Sequence, residues 1–201
     1  EGEIEVEWED SAIEVSVAYL FNPSTVAQTG VIFIEFRNGE IRAYPRDRWP
    51  AWYAAERSRA QLHFSPFRGW MNDPNGLCYI DGIYHLFYQF HLNSTDWGPM
   101  HWGHAASPDL YHWTHLPVFL HPEGNLEALG ATGGAFSGTT CIDPTGKPII
   151  YYTERMPTYE GNTDFKELQR RVVPSRGLLR PNDNEVALDH EPEGSAHDFR
   201  D

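Results

Sequence analysis

The carboxylate of Asp73, in residues 72–76 with the sequence Asn-Asp-Pro-Asn-Gly, is the group in this chain best suited to chemistry. Pro74 fixes its own backbone and keeps Asp73 out of the helical region, so the carboxylate leaves the chain in a defined direction. A nucleophile at a sugar carbon needs such an aim. The same residues also suit successive positions of a β-turn, and taken alone they favour the turn.

The surroundings of this segment favour chemistry over a plain turn. Trp70 and Met71 precede it, and a run rich in Tyr and Phe follows and ends at Gln89, where packing does not require an amide. Aromatic residues make up 14% of the chain. Sugar rings stack on aromatic faces, but aromatic side chains also fill ordinary cores. Composition therefore leaves both interpretations open.

Two pairs of histidines raise the alternative of metal binding. His101 and His104, like His112 and His115, are three residues apart. In a strand-like segment this spacing points the two rings to opposite faces, and no third or fourth ligand stands in register. We therefore predict no metal site.

The charge and hydropathy of the chain exclude two classes of partner. The 201 residues contain 15 Lys and Arg against 29 Asp and Glu, a formal net charge of −14. Such a chain repels polyanions and has no basic stripe to neutralise phosphates, so we expect no nucleic-acid partner. No run approaches the roughly 18 apolar residues of a membrane span, so we expect no membrane partner.

The elements that must position Asp73 are predicted to be strands. Apolar residues alternate with polar ones at 4–8, 13–19 and 32–36, and Asn38-Gly39 then predicts a hairpin. Residues 46–60 have the composition of a connector, and we place a boundary near residue 60.

Hairpin signals continue after that boundary. Asp81-Gly82 separates the apolar runs 77–80 and 83–90, and residues 143–146 separate 139–142 from 149–153. The one helix is predicted at 164–172. The chain is therefore all-β, of sandwich, barrel or propeller type.

From residue 62 onward the chain resembles glycoside hydrolase family 32, the family of invertases, inulinases, levanases and related fructosyltransferases. Its motifs occur here in the family's order: LHFSP at 62–66, WMNDPNG at 70–76, YHLFYQ at 84–89, WGPMHWGHA at 97–105 with SPDL at 107–110, FSG at 136–138 and FRD at 199–201. One such motif would be weak, but five or more in order are highly specific.

The resemblance implies a five-bladed β-propeller with a funnel-shaped active site and a retaining mechanism that needs no cofactor or metal. Asp73 would be the nucleophile at C2 of a fructofuranosyl unit. Asp201 would hold ring hydroxyls, although alone it could be an ordinary exposed acid, and Arg200 would add charge-assisted donors beside it. Four further residues match positions that line the fructose subsite: Asn72, Gln89, Trp97 and Ser137.

The chain departs from the family pattern in its acid/base. That residue should be a glutamate in a later Glu-Cys pair, and the chain has no such pair. Glu154, Glu160, Glu185 and Glu193 precede Asp201, which is the wrong order. We therefore assign no general acid, and we expect the chain alone to be inactive.

The resemblance also gives a domain organisation. Residues 61–201 would be the first part of the propeller, about two to three blades, incomplete at the C-terminus, with the remainder in a longer chain or a separate polypeptide. Residues 1–60 would be a β-rich N-terminal segment or the end of an accessory domain. Residues 160–193, with the predicted helix, would be an insertion or a diverged blade edge.

Three functions remain open at this point. The first is hydrolysis of β-fructofuranosyl bonds in sucrose, inulin or levan, and the second is fructosyl transfer through the same intermediate. The third is a non-catalytic fructan-binding module, suggested by the missing acid. Polymeric fructans are cut outside the cell, so we expect secretion, or a cytoplasmic location if the substrate is sucrose or its phosphate.

Overall fold

The computed structural model describes residues 15, 17–122, 126, 132–157, 165–190, 192, 193, 199 and 200. The predicted strand at 4–8, Glu160 and Asp201 lie outside the described residues. Within them the chain is built mainly of antiparallel strands, arranged as one three-stranded and two four-stranded sheets. The prediction of an all-β protein is confirmed.

The N-terminal sheet has the order β1-β2-β3, with β1 at Val17–Leu20, β2 at Ile32–Arg37 and β3 at Glu40–Tyr44. A short helix, α1 at Val26–Thr29, joins β1 to β2. The predicted hairpin is confirmed: Asn38 and Gly39 both have positive φ, 51° and 76°. These are the angles that a two-residue turn between right-twisted strands requires.

The connector predicted at 46–60 contains a helix that the sequence did not lead us to expect, α2 at Trp49–Ala55. Pro50 stands in its first turn, where a missing N–H costs nothing. Trp49, the first residue of this helix, is buried, and the ring centroids of Trp52 and Phe67 lie 4.5 Å apart. The composition typical of a connector thus concealed a short helix that packs its aromatic residues onto the rest of the chain.

The first four-stranded sheet has the order β4-β5-β6-β7. Its strands are β4 at Trp70–Ile80, β5 at Ile83–His91, β6 at His101–Ser107 and β7 at Thr114–His115. The turn between β4 and β5 is the predicted Asp81-Gly82 pair, with φ of 51° and 84°. The alternative of a β-turn at 72–76 is wrong, because these residues lie inside β4.

The second four-stranded sheet has the order β8-β9-β10-β11. Its strands are β8 at Gly134–Ile142, β9 at Pro148–Pro157, β10 at Phe165–Pro174 and β11 at Pro181–Leu188. The hairpin predicted around 143–146 joins β8 to β9 and is confirmed.

The helix predicted at 164–172 is wrong, because the described residues of that segment lie in a strand. Of the two alternatives for residues 160–193, an insertion or a diverged blade edge, the described part fits the second, since it forms the two outer strands of the second sheet. Burial along β10 alternates, with Leu168, Arg170 and Val172 facing inward. Because the inward-facing position 170 carries a charged residue, the apolar alternation with a period of two is not visible in the sequence. Its Nε lies 2.5 Å from Oε2 of Glu154 on β9, and the ion pair allows both charges to be buried.

A hydrophobic cluster holds the two four-stranded sheets together. It combines Phe87 and Trp102 of the first sheet with Ile150, Tyr152 and Val172 of the second. The first strands of the two sheets also lie side by side, so that a Cβ added at Gly76 of β4 would stand 2.5 Å from Oγ1 of Thr140 on β8. The two sheets are therefore neighbours that share a core and place β4 and β8 next to each other.

A second cluster joins the N-terminal segment to the first of these sheets. Val31, Phe33 and Trp49 pack with Phe67 and Leu116. The rings of Phe33 and Phe67 are stacked with centroids 3.6 Å apart. The described part of the N-terminal segment thus shares a core with the residues around the first four-stranded sheet, while the boundary near residue 60 stays a prediction. In the described part of the chain no helix has the length and apolarity to cross a membrane.

Candidate active site

Two irregularities in β4 frame Asp73. Met71 pairs with Phe90 and Pro74 with Tyr88, so β4 has one residue more than β5 in this interval, and a second shift follows between Asn75 and Cys78. Such bulges bend a strand and re-aim its side chains. Asp73 is exposed at the first bulge, as expected for a group that must meet a substrate.

Asn72 and Trp70 orient the group next to the Asp73 carboxylate. The indole N–H of Trp70 can only donate, and it donates to Oδ1 of Asn72 at 2.7 Å. This fixes the amide so that its Nδ2 donates to Oδ2 of Asp73 at 3.2 Å. The bond to Asp73 confirms that these two predicted residues are neighbours in space as well as in sequence.

Asp73 opens into a cleft of about 310 Å³ between β4 and the second sheet. The cleft lies where the innermost strands of the two sheets meet. Its lining residues are Asp73, Pro74, Asn75, Ser137, Gly138, Thr139, Tyr151, Tyr152, Thr153 and Gln169. The structure therefore brings Asp73 and the predicted Ser137 together from positions far apart in the sequence.

Gln89 and Trp97 lie close to this cleft without lining it. Gln89 is buried and its Nε2 donates to the carbonyl oxygen of Ala135 at 2.9 Å. The ring of Trp97 lies 6.0 Å from that of Phe136 and is 44% exposed. Both residues contact the start of β8 just before Ser137, and neither lines the cleft itself.

Phe136 also contacts two other residues, Trp102 and Arg200. Its carbonyl oxygen accepts from the buried indole N–H of Trp102 at 2.9 Å, so Trp102 is a core residue that helps to hold β8 in place. The guanidinium of Arg200 stands 5.7 Å from the centroid of its ring. The predicted Arg200 thus lies against the start of β8, which Gln89 and Trp97 also contact.

Among the described residues Asp73 is the one carboxylate that lines the cleft. Glu154 is fully buried in its ion pair with Arg170, and Glu185 pairs with Arg171 at 2.7 Å on the surface. Neither is placed to protonate a leaving group beside Asp73, which agrees with the order argument from the sequence.

The rings of His101 and His104, both on β6, have different surroundings, as their spacing in a strand predicts. His104 stacks on Phe87 in the core with ring centroids 4.3 Å apart, whereas His101 contacts His121 at 5.3 Å. Desolvation lowers the pKa of His104 well below its usual value. In the part of the chain that the structure describes, no group of three or more metal-ligating side chains comes together.

Five cleft residues lie outside the predicted site residues and the motifs that contain them: Thr139, Tyr151, Tyr152, Thr153 and Gln169. Thr139 follows the FSG motif directly, and this proximity was a usable signal. Gln169 fell within the segment predicted as a helix, so its place beside Thr153 on a sheet could not be derived. Its side chain accepts from the Thr153 hydroxyl at 3.1 Å.

Comparison with known proteins agrees with this fold and site. The family description "Glycosyl hydrolases family 32 N-terminal domain" matches residues 63–201. The chain belongs to this family, and its two four-stranded sheets are blades of an incomplete β-propeller.

The similar curated proteins include fructoside-cleaving enzymes. The chain is 48% identical over 155 residues to a levanase of Bacillus subtilis, covering 67% of this chain and 22% of that protein. It is 39% identical over 141 residues to a sucrose-6-phosphate hydrolase of Zymomonas mobilis, covering 70% and 26%. The chain thus spans about a quarter of the length of these relatives.

Solved structures give the same result. A glycoside hydrolase family 32 protein from Bifidobacterium adolescentis matches with a TM-score of 0.73 and 31% identity, covering 87% of this chain and 29% of that one. A β-fructofuranosidase from Bombyx mori in complex with sucrose matches with a TM-score of 0.57 and 36% identity, covering 77% and 32%. The match to the Bifidobacterium adolescentis structure covers a larger share of this chain than residues 61–201 make up. It therefore includes part of the N-terminal segment.

Proposed function

We propose that this chain supplies the nucleophile half of a retaining hydrolase that cleaves β-fructofuranosyl bonds in sucrose, inulin or levan. The observation that carries the proposal is the position of Asp73, exposed at a bulge of an innermost strand and facing a cleft that Ser137 also lines. Relatives named for levan, sucrose 6-phosphate and fructan support the substrate class.

In the proposed reaction one carboxylate oxygen of Asp73 attacks C2 of the fructosyl unit. The bond between C2 and the glycosidic oxygen breaks, and that oxygen leaves with the electron pair and a proton from a general acid outside the described residues. Water then attacks C2 and gives up a proton to the conjugate base of that acid, the bond between C2 and the Asp73 oxygen breaks with its electron pair returning to the carboxylate, and fructose is released. The Asn72 amide, which donates to Oδ2 of Asp73, steadies the attacking group.

The same site fits two other outcomes, and product analysis separates them. If a sugar hydroxyl replaces water in the second step, the protein is a fructosyltransferase. If the full-length protein binds fructan without turnover, it is a binding module, the alternative that the missing Glu-Cys pair suggests. Free fructose as the main product from sucrose, inulin or levan would support hydrolysis and contradict both.

Asp73→Asn in the full-length protein is the direct test. Removing a nucleophile typically costs several orders of magnitude, so we expect kcat to fall at least about 1,000-fold with substrate binding retained. Asp81→Asn is the matched control, because Asp81 is an exposed aspartate at the far end of β4 and Asn suits its positive φ. Retention of more than about a tenth of the activity in Asp73→Asn would contradict the assignment.

Two further proposals follow from the missing acid and from the substrate. Protonation of the leaving oxygen contributes roughly 100- to 10,000-fold, so the 201-residue chain alone should show no appreciable turnover. Measurable sucrose hydrolysis by this chain would contradict that expectation. A polymeric fructan substrate would place the protein outside the cell, and sucrose or its phosphate would allow a cytoplasmic location.

A further inference from the structure

Gln169 on β10 connects the cleft to the segment that carries Arg200. Its Nε2 lies 2.9 Å from the carbonyl oxygen of Phe199, and its Oε1 lies 3.1 Å from the hydroxyl of Thr153. Both Gln169 and Thr153 line the same cleft as Asp73. The residue before Arg200 is therefore bonded to a side chain of the cleft wall.

The chemistry of the three groups fixes the orientation of this amide. A backbone carbonyl can only accept, so the amide nitrogen of Gln169 must face Phe199. Its oxygen then faces Thr153, and the Thr153 hydroxyl must donate to it. A half-turn of the amide would place its oxygen against the Phe199 carbonyl oxygen, so this carbonyl sets the orientation and the Thr153 hydroxyl holds the amide oxygen in place.

The bond matters because it acts on the backbone beside Arg200. The guanidinium of this exposed residue stands over the ring of Phe136 at 5.7 Å, a contact that tolerates movement of the long side chain. The bond from Gln169 fixes the main chain instead. This hydrogen bond acts one residue before Arg200 and two residues before Asp201. The family resemblance assigns Asp201 to the sugar hydroxyls.

We propose that Gln169 is a positioning residue, which holds the Phe199 carbonyl so that Arg200 is presented to the fructosyl unit bound at Asp73. The proposal rests on the proposed function for its effect on turnover. The hydrogen bond itself, and the order that it gives to residues 199 and 200, do not depend on that function.

Gln169→Glu in the full-length protein tests the proposal through its pH profile. The ionised carboxylate cannot donate and repels the Phe199 carbonyl, so kcat/KM on sucrose should fall roughly 10-fold or more at pH 7. A protonated glutamate can donate, and its reference pKa is about 4.3. The ratio of variant to wild-type kcat/KM should therefore rise as the pH is lowered towards about 4.

Gln61→Glu is the matched control. Gln61 is exposed outside the cleft and its Nε2 also donates to a backbone carbonyl, that of Arg59 at 3.3 Å. The same change of charge there should leave the kcat/KM ratio near one at every pH. A pH-independent loss in Gln169→Glu, or no loss with the fold intact, would overturn the positioning role.

A second variant and a second measurement keep the test decisive. If Gln169→Glu does not fold, Thr153→Val removes the hydroxyl that holds the amide oxygen while keeping the shape of the Thr153 side chain, and should lower kcat/KM several-fold. An unchanged value would overturn the proposal. Hydrogen exchange of the peptide that contains residues 199–201 should speed up in both variants. This readout requires no turnover, so it distinguishes failure of the positioning role from failure of the proposed function.

Discussion

Gly138 stands where β8 and β9 approach most closely beside the cleft, and replacing it with alanine should destabilise the protein strongly. A Cβ at this position would lie 2.1 Å from the carbonyl oxygen of Tyr151 and 2.7 Å from Cα of Tyr152. Both neighbours are backbone atoms of the paired strand, so no side-chain rotation relieves the overlap. The two strands would have to separate by about 1 Å, which lengthens the adjacent hydrogen bonds beyond their usual range.

The expected cost follows from these two effects. Overpacking typically costs about 1–3 kcal/mol, and each weakened ladder bond adds about 0.5–1.5 kcal/mol. We therefore expect Gly138→Ala to lower the free energy of unfolding by about 3–5 kcal/mol, a large part of the roughly 5–15 kcal/mol of a typical domain. Ser137, the neighbouring cleft residue, should move with the strand, so activity should fall as well.

Urea denaturation of the full-length protein, compared with Gly146→Ala, is the assay. Gly146 lies in the turn of the same hairpin, has a φ of +83°, and leaves open space for 4 Å around the position that a Cβ would take. Its replacement should cost only the penalty of positive φ, about 1–2 kcal/mol. With a slope of about 1–3 kcal/mol per molar urea, Gly138→Ala should lower the midpoint by more than about 1 M. Equal midpoints for the two variants would refute the steric argument.

Two further predictions concern buried charge. Arg170→Met removes the ion pair between Arg170 and the fully buried Glu154 and should cost about 3–5 kcal/mol, whereas Arg171→Met removes a surface pair and should cost much less. Similar urea midpoints for the two variants would contradict this. Desolvation lowers the pKa of His85 to about 4 and that of the adjacent His104 well below 6.5. Below about pH 6.5 the unfolded chain therefore binds more protons than the folded one. The free energy of unfolding should fall as the pH drops from about 6.5 towards about 4. A thermal midpoint that stays constant over this pH range would contradict the burial argument.

The sequence was sufficient for features whose information is local. The hairpins at Asn38-Gly39 and Asp81-Gly82 follow from residues that accept positive φ, and the structure shows those angles. The motif order from residue 62 indicated the family, which the family match confirms. Asp73 and Ser137 then meet in one cleft as the resemblance implied.

The failures involve residues whose role depends on distant partners. Arg170 interrupts the apolar alternation of β10, and only its ion pair with Glu154 explains why a charge faces inward. The helix at Trp49–Ala55 was predicted as a connector because the surface that receives Trp49 is formed by residues distant in the chain, including Phe33 and His115. Gln169 was missed for the same reason, since its bond to Phe199 joins residues 30 positions apart. In each case the decisive interaction is long-range.

The packing of Phe33 and Trp49 against Phe67 and Leu116 has a practical consequence for anyone who wishes to trim this protein. The family match begins at residue 63, and a truncation placed there would strip off one side of a shared aromatic cluster. The backbone N–H of Val31, which donates to the carbonyl oxygen of His115 at 3.1 Å, would be lost with it. The start of the family match is therefore not the start of the packed core, which in this chain includes residues upstream of it.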